Sequence, residues 1–363
     1  MTRAFHAPGR VNLIGEHTDY SGGLVLPAAI DLGLTLAGDA ADRIALESER
    51  YPGAVKLAPD GAGEAGDDWG RYVAAVAAEL DALGRPAVGF AGELASDLPD
   101  GAGLSSSAAL EVVVATALCA VADFPLAPLD LAAACQRAEY RAVGVPSGIM
   151  DQAASILGRA DAAVLLDCGT LEHRMVALPP SLALLVVDSA VQRRLEGSGY
   201  AQRRAELEVG LAALGGRRPA DVEPAEAEAL GRAAALDDVA LRRLRHVVAE
   251  NRRVEDVEMA LTGAQGADLE GLGRLFAESH VSLRDDFEVS TPELDLLVDL
   301  AREAGAIAAR RTGGGFGGSI VALVPREAAV DVGQRVVAAY ARRSGRKATA
   351  YACRASDGAR ALP

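Results

Sequence analysis

Just past residue 100, a turn rich in glycine and serine runs directly into a long uncharged, mainly apolar stretch between Glu111 and Asp123. The serines and the apolar run read together as one helix, Ser105–Ala122, too short to span a bilayer. Gly101 and Gly103 let the backbone come close to an anion, and the hydroxyls of Ser105, Ser106 and Ser107 add hydrogen bonds. The helix start contributes free N–H groups and the positive end of its dipole. The same residues also describe an ordinary turn followed by a serine-capped helix, so taken alone they leave both readings open. The chain has only two lysines, Lys56 and Lys347, and neither adjoins a glycine-rich loop, so a Walker-type lysine is absent. A nucleotide site must then neutralise phosphate with backbone amides, a helix N-terminus, a metal ion and arginine.

The chain has 363 residues, half of them hydrophobic (50%), enough for a large core and for two domains or one large one. A net charge of −15 argues against a nucleic-acid backbone or an anionic membrane surface as the main partner. Residues 1–10 lack the hydrophobic core of a signal peptide, and a cytoplasmic location is expected. Cys119, Cys135, Cys168 and Cys353 are widely spaced with no Cys-x-x-Cys pair, which points to buried free thiols.

The first half reads as mixed α/β, with strands at Val88–Leu94 and Ala163–Asp167 and helices at Trp69–Leu83 and Leu129–Val143. Pro179 and Pro180 punctuate the chain, and Leu182–Asp188 reads as a buried strand opening a second unit. The stretch from Tyr200 to about Leu283 is mostly helical, and Thr291 with Pro292 marks a helix start that runs toward Gly305. Strands at Ser319–Val324 and Ala348–Cys353 flank a helix at Ala329–Arg343.

Four further features carry candidate chemistry. The run Ala7–Tyr20 packs Arg10, Glu16, His17 and Asp19 together; paired carboxylates suit the hydroxyls of a sugar, and a solvated turn is the plain alternative. Asp151 follows Pro146-Ser-Gly-Ile-Met, where an N-cap is the usual role of an aspartate. Glu139, on the preceding helix, has a solvated carboxylate as its plain reading. Five glycines around Phe316, from Gly313 to Gly318, form either a tight turn into a strand or a loop that closes on a ligand.

Three of these segments resemble signatures of the galactokinases, a branch of the GHMP family of small-molecule kinases. They are Ala7–Tyr20, the phosphate-loop segment Leu98-Pro-Asp-Gly-Ala-Gly-Leu-Ser-Ser-Ser-Ala-Ala-Leu110, and the glycine-rich segment Arg310–Leu323. Gly148–Gln152 and His280–Val298 resemble further family segments, and all appear in family order. The resemblance implies a two-domain α/β (α+β) fold, with an N-terminal ribosomal-protein-S5-domain-2-like unit over 1–180 and a ferredoxin-like unit over 181–363. The active site would lie in the cleft between them.

It further implies an ATP- and Mg2+-dependent kinase that phosphorylates the anomeric hydroxyl of α-D-galactose, the first committed step of galactose catabolism, acting as a monomer. Arg10 and Asp151 would be the catalytic pair, and Glu16, His17, Asp19, Gly148 and Tyr200 would hold the sugar. Gly101, Ala102, Gly103, Leu104, Ser105, Ser106, Ser107 and Ala108 would hold the phosphates, Ser107 and Glu139 the metal. Trp69, with Tyr72, would stand by the adenine, or else be a core aromatic. The chain departs from the family at Arg311, Ser319 and Ser21-Gly22, which bears on sugar selectivity. The rival readings are a related kinase for arabinose, an amino sugar or a uronic acid, and a non-catalytic galactose and ATP sensor.

Overall fold

The computed structural model describes residues 2–66, 69–99, 101–191 and 199–363. Asp100 of the phosphate-loop segment and Ser198 before Tyr200 lie outside the described residues. The first unit runs β1 (Arg3–Asn12), β2 (Leu24–Val25), β3 (Pro27–Ala41), β4 (Ile44–Glu47), β5 (Val55–Leu57), β6 (Gly63–Glu64), α1 (Gly70–Ala82), β7 (Gly89–Ser96), α2 (Ser106–Val121), α3 (Pro128–Val143), α4 (Met150–Leu157), β8 (Ala162–Asp167) and β9 (His173–Ala177). A seven-stranded sheet has the order β14-β1-β3-β7-β4-β5-β6, in which β14 (Arg360–Leu362) is the end of the chain, returned to pair with β1. A small sheet, β2-β8-β9, lies beside it.

Helix α2 is apolar nearly all round and is buried between sheet and helices, as a helix without a polar face must be. The reading of the first half found β7 and β8 but not the long β3, whose sequence PAAIDLGLTLAGDAA has weak strand propensity. Pairing with β1 on one side and β7 on the other decides its conformation. β1 itself carries Pro8 and Gly9 in mid-strand, and its register shifts between Pro8 and Arg10, a bulge that re-aims the chain at the site.

The second unit runs β10 (Leu182–Asp188), α5 (Gly199–Ala212), α6 (Pro224–Ala233), α7 (Asp238–Thr262), α8 (Leu269–Asp285), α9 (Pro292–Glu303), β11 (Ala308–Thr312), β12 (Ser319–Pro325), α10 (Ala329–Ser344) and β13 (Thr349–Cys353). The succession β10-α9-β11-β12-α10-β13 with sheet order β11-β12-β10-β13 is the ferredoxin-like split βαβ arrangement, and four helices are inserted ahead of α9. Thr291 caps α9, accepting from Leu294 N, with Pro292 at the first helical position. Cys119, Cys135 and Cys353 are buried free thiols and Cys168 is half-buried. Among the described residues no helix is long and apolar enough to cross a membrane.

Candidate active site

The β1 bulge brings the strand against the phosphate loop. Gly9 is pressed so close that a Cβ would stand 2.6 Å from Leu104 O, and Arg10 N donates to that same carbonyl at 3.1 Å. The Arg10 side chain is buried and bidentate on Asp151, with Nε to Oδ1 at 2.6 Å and Nη2 to Oδ2 at 2.7 Å. Its Nη1 donates to Gly103 O at 2.8 Å. Asp151 lies in the first turn of α4 rather than at its N-cap, which is Ile149, and its side chain keeps 28% of its surface exposed. An ion pair this well formed, with one carboxylate edge open, can present a fixed acceptor to a ligand hydroxyl.

Ser105 does not cap α2. It takes the left-handed conformation (φ 59°) and turns its hydroxyl to donate to Asp151 Oδ2. The α2 N-terminus is therefore left without a side-chain cap, its amides free for an anion. Gly101, Gly103, Ser106 and Ser107 keep exposed surface in this loop, whereas Ala102, Leu104 and Ala108 are buried beneath it. Ser107 Oγ donates to Glu139 Oε1 at 3.1 Å, and Glu139 Oε2 accepts from Ser147 Oγ and Gln152 Nε2. Two hard oxygen donors side by side on partly exposed residues fit Mg2+, which takes few protein ligands and keeps several waters. Trp69 is packed in the main core, 6% exposed, its indole donating to Pro52 O and its ring against Tyr51. The core reading therefore describes it, with only an edge left to a ligand. Tyr72 is half-buried beside it, under the Arg71 guanidinium.

At the other end, Glu16 is no solvated turn residue. Its Oε1 accepts from Gly313 N at 2.8 Å and Thr312 Oγ1 at 3.1 Å and stands 3.2 Å from Arg310 Nη2 in an ion pair, which ties the Ala7–Tyr20 run to β11 and the glycine-rich loop. That loop closes inward, with Phe316 packed over Gly199 and joined to the cluster around Phe287. His17 shares a 3.0 Å hydrogen bond between Nδ1 and the Tyr20 hydroxyl and packs 4.5 Å from the Phe287 ring, with Tyr200 at 5.7 Å. Burial, aided by the Arg311 guanidinium, holds the His17 imidazole well below its usual range, so it is neutral. Its Nε2 has no partner among the described residues. Asp19 lies against Gly148, where a Cβ would fall 1.9 Å from its Oδ2, so only glycine fits. Burial pushes the Asp19 carboxyl up to about 7, with Asp151 and Glu16 adding repulsion. The structure thus gathers Arg10, Glu16, His17, Asp19, Gly148, Asp151 and Tyr200, and the Ser105–Ser107 and Glu139 group adjoins them through Asp151 and Ser147.

The sequence reading missed the supports. Glu250 on α7 is fully buried, and its Oε1 accepts from Gly15 N, Glu16 N and Ser279 Oγ while its Oε2 takes Arg253 Nε at 2.7 Å. These contacts hold its carboxyl far below the usual range against the cost of burial, Arg253 foremost. His246 bonds Glu16 O through Nε2, and its imidazole is depressed by burial to about 3. Asn251 takes Leu24 N. The signal was available: His246 and Glu250 stand four apart on the buried stripe of α7, where, with Arg243 and Asn251, they interrupt the apolar run of Leu244, Val247 and Val254. Of the departures, Ser319 Oγ donates to Ala102 O, and Arg311 is fully buried with Nη2 on Gly313 O. A groove of about 810 Å³ lined by Arg245, Leu269, Arg274 and Val281 also includes Arg253, the partner of Glu250, but none of the candidate site residues named from the sequence.

Comparison with known proteins identifies what the chain is similar to. The family described as GHMP kinases N terminal domain matches residues 71–159, the galactokinase galactose-binding signature residues 2–40, and GHMP kinases C terminal residues 260–342. A galactokinase of Roseiflexus sp. (strain RS-1) is 42% identical over 361 residues, 97% of this chain and 91% of that protein. Among solved structures, Lactococcus lactis galactokinase complexed with galactose superposes with a TM-score of 0.93 at 32% identity, covering 99% of this chain and 95% of that one. The Methanococcus jannaschii mevalonate kinase shares the fold, with a TM-score of 0.67 at 20% identity, over 98% of each chain.

Two outcomes are expected. Glu250→Gln puts an amide donor against Arg253 and removes the charge, and should cost about 3 kcal/mol in a urea melt, as breaking a buried pair does; a loss within about 0.5 kcal/mol would mean that Glu250 does not hold the loop. For Asp19 the sign runs the other way. Between its unfolded value and about 7 the folded chain keeps a proton the unfolded chain has lost, so stability falls as pH rises through that window. Asp19→Asn should therefore melt at the wild-type temperature near pH 4 and roughly 2–4 °C above it at pH 8. A gap that does not widen with pH would contradict the buried-carboxylate account.

Proposed function

The chain belongs to the GHMP kinases and, within them, to the galactokinases, and on that premise we propose how its own residues move the γ-phosphoryl group of ATP to the anomeric hydroxyl of α-D-galactose, giving galactose 1-phosphate and ADP. One observation carries the assignment of roles: the buried Arg10 holds Asp151 bidentately at the mouth of the phosphate loop. Asp151 accepts the hydrogen bond of the anomeric hydroxyl, so that proton has an acceptor as the oxygen–phosphorus bond forms. Arg10 offsets charge on the moving phosphoryl, and Ser105 fixes the second carboxylate oxygen. The loop Gly101–Ala108 and the uncapped α2 N-terminus take the nucleotide phosphates without a lysine. Ser107 and Glu139 would hold Mg2+, which when bound neutralises phosphate charge. The adenine would lie by Tyr72 and the edge of Trp69.

Asp19, Glu16, His17, Tyr200 and the backbone at Gly148 bind the sugar, because carboxylate oxygens and an unpartnered imidazole nitrogen match hydroxyl donors. The division into units at 180/181 belongs to the same reading, as do a cytoplasmic location and a monomeric state. Free thiols suit a reducing compartment. Among the described residues, the four most exposed large apolar side chains, Tyr140, Val209, Met259 and Val330, stand on four different helices and need no single partner surface, whereas Leu269 and Val281 share one groove.

Steady-state ADP release with a panel of sugars tests the reading. Galactose should exceed glucose by at least about tenfold in kcat/KM, since the C4 epimer leaves a buried acceptor underpaired at roughly 1.5–3 kcal/mol. Equal use of glucose would remove galactose as the specific substrate and leave the kinase standing; galactose binding with no turnover of any sugar would favour a sensor. Asp151→Asn keeps volume and loses the acceptor, so kcat should fall about 100-fold or more with galactose affinity nearly unchanged. Undiminished turnover would take Asp151 out of the mechanism.

A further inference from the structure

Arg204, in the second turn of α5, is absent from every role above, yet its guanidinium meets two parts of the sugar pocket at once. Its Nη1 donates to Pro146 O, and its central carbon stands 5.3 Å from the Tyr20 ring centroid. Its Nε turns outward, to the exposed Glu208 at 3.2 Å. The carbonyl it grips belongs to the Pro146–Gly148 turn, which has two working ends. Gly148 is pressed on the Asp19 carboxylate on the sugar side. Ser147 Oγ donates to Glu139 Oε2 at 2.7 Å on the metal side. Within the N-terminal unit the turn is pinned by Gln136, whose Nε2 donates to Ser147 O at 2.9 Å. Arg204 is the matching pin from the second unit.

We propose that Arg204 is a positioning residue that sets the Pro146–Gly148 turn between the two halves of the site, and so couples galactose binding to binding of the magnesium–nucleotide. The proposal rests on the sugar-kinase reading given above. Arginine suits the task, because a planar guanidinium can donate in its plane to a carbonyl while its face lies on an aromatic ring. Lysine can keep the donor but not the stack. Without the pin, the turn is free to move away from both Asp19 and Glu139, whereas Arg10, Asp151 and Ser105 hold one another without it. The effect should therefore appear in the binding of both ligands and not in the chemical step.

The test uses the full chain, with kinetics and calorimetric titrations of galactose and of magnesium with a non-hydrolysable ATP analogue. Arg204→Ala should raise both KM values and both Kd values about tenfold, with kcat within about threefold of wild type and the melting temperature within about 2 °C. Arg204→Lys should recover about half of the loss on a logarithmic scale, and Glu208→Ala, which removes only the exposed pair, should change neither constant. If Arg204→Ala does not fold, Arg204→Lys alone carries the test, with an expected rise of about threefold in both constants. Wild-type constants in both Arg204 variants, or weakening of galactose alone, would overturn the coupling. The titrations do not depend on turnover, so a wild-type protein that releases no ADP would refute the kinase reading separately.

Discussion

An arginine buried at 4% exposure is tolerable only if its charge is matched and its donors are used, and Arg10 meets both demands in one place. Two donors go to Asp151 and one to Gly103 O, so β1, the phosphate loop and the start of α4 are joined by a single side chain. Much of the local irregularity follows from it. The bulge at Gly9 exists because Arg10 N must leave the strand ladder for Leu104 O. Ser105 takes a left-handed conformation that a serine rarely adopts, and its hydroxyl completes the shell around Asp151 instead of capping its helix.

Around that pair the protein crowds acids and offsets them unevenly. Glu16 has an ion pair with Arg310 and two hydrogen-bond donors, and Glu250 has Arg253, Ser279 and two backbone amides. Asp19 has no such cation among the described residues, and burial beside Asp151 and Glu16 raises its carboxyl to about 7. Glu111, buried on α2 with Gln152 as its hydrogen-bond donor, is pushed well above the usual carboxylate range by burial, with Glu139 nearby. Glu16 and Glu250, well supplied with donors, build the frame, whereas Asp19 is left under-satisfied, the condition in which a carboxyl is kept for a ligand at a cost in stability.

The second unit matters to the site as much as the first. Helix α7 sends His246, Glu250 and Asn251 under the Gly15–Leu24 stretch, β11 sends Arg310 and Thr312 to Glu16, and α5 brings Tyr200 and Arg204. The end of the chain also returns to the first sheet as β14. The geometry of the candidate sugar site is therefore a property of the packed pair of units, and the loop that carries Glu16, His17 and Asp19 depends for its shape on residues more than 200 positions away in sequence.

What the sequence determined by itself is local. The Gly-Ser turn running into an apolar helix, the Thr291-Pro292 helix start, the buried strand at Leu182–Asp188 and the run holding Arg10, Glu16, His17 and Asp19 are legible because capping, periodicity and charge clustering act over a few residues. The tertiary structure decided what depends on distant partners. β3 is a strand because β1 and β7 flank it, against its alanine- and glycine-rich composition; Asp151 is an arginine-paired carboxylate and not a cap because β1 bulges toward it; and Trp69 lies in the core because Tyr51 and the Pro52 carbonyl enclose it. The physical reason is that pairing energies, desolvation and close approach belong to neighbours in space, and a linear reading holds no distance between Gly15 and Glu250.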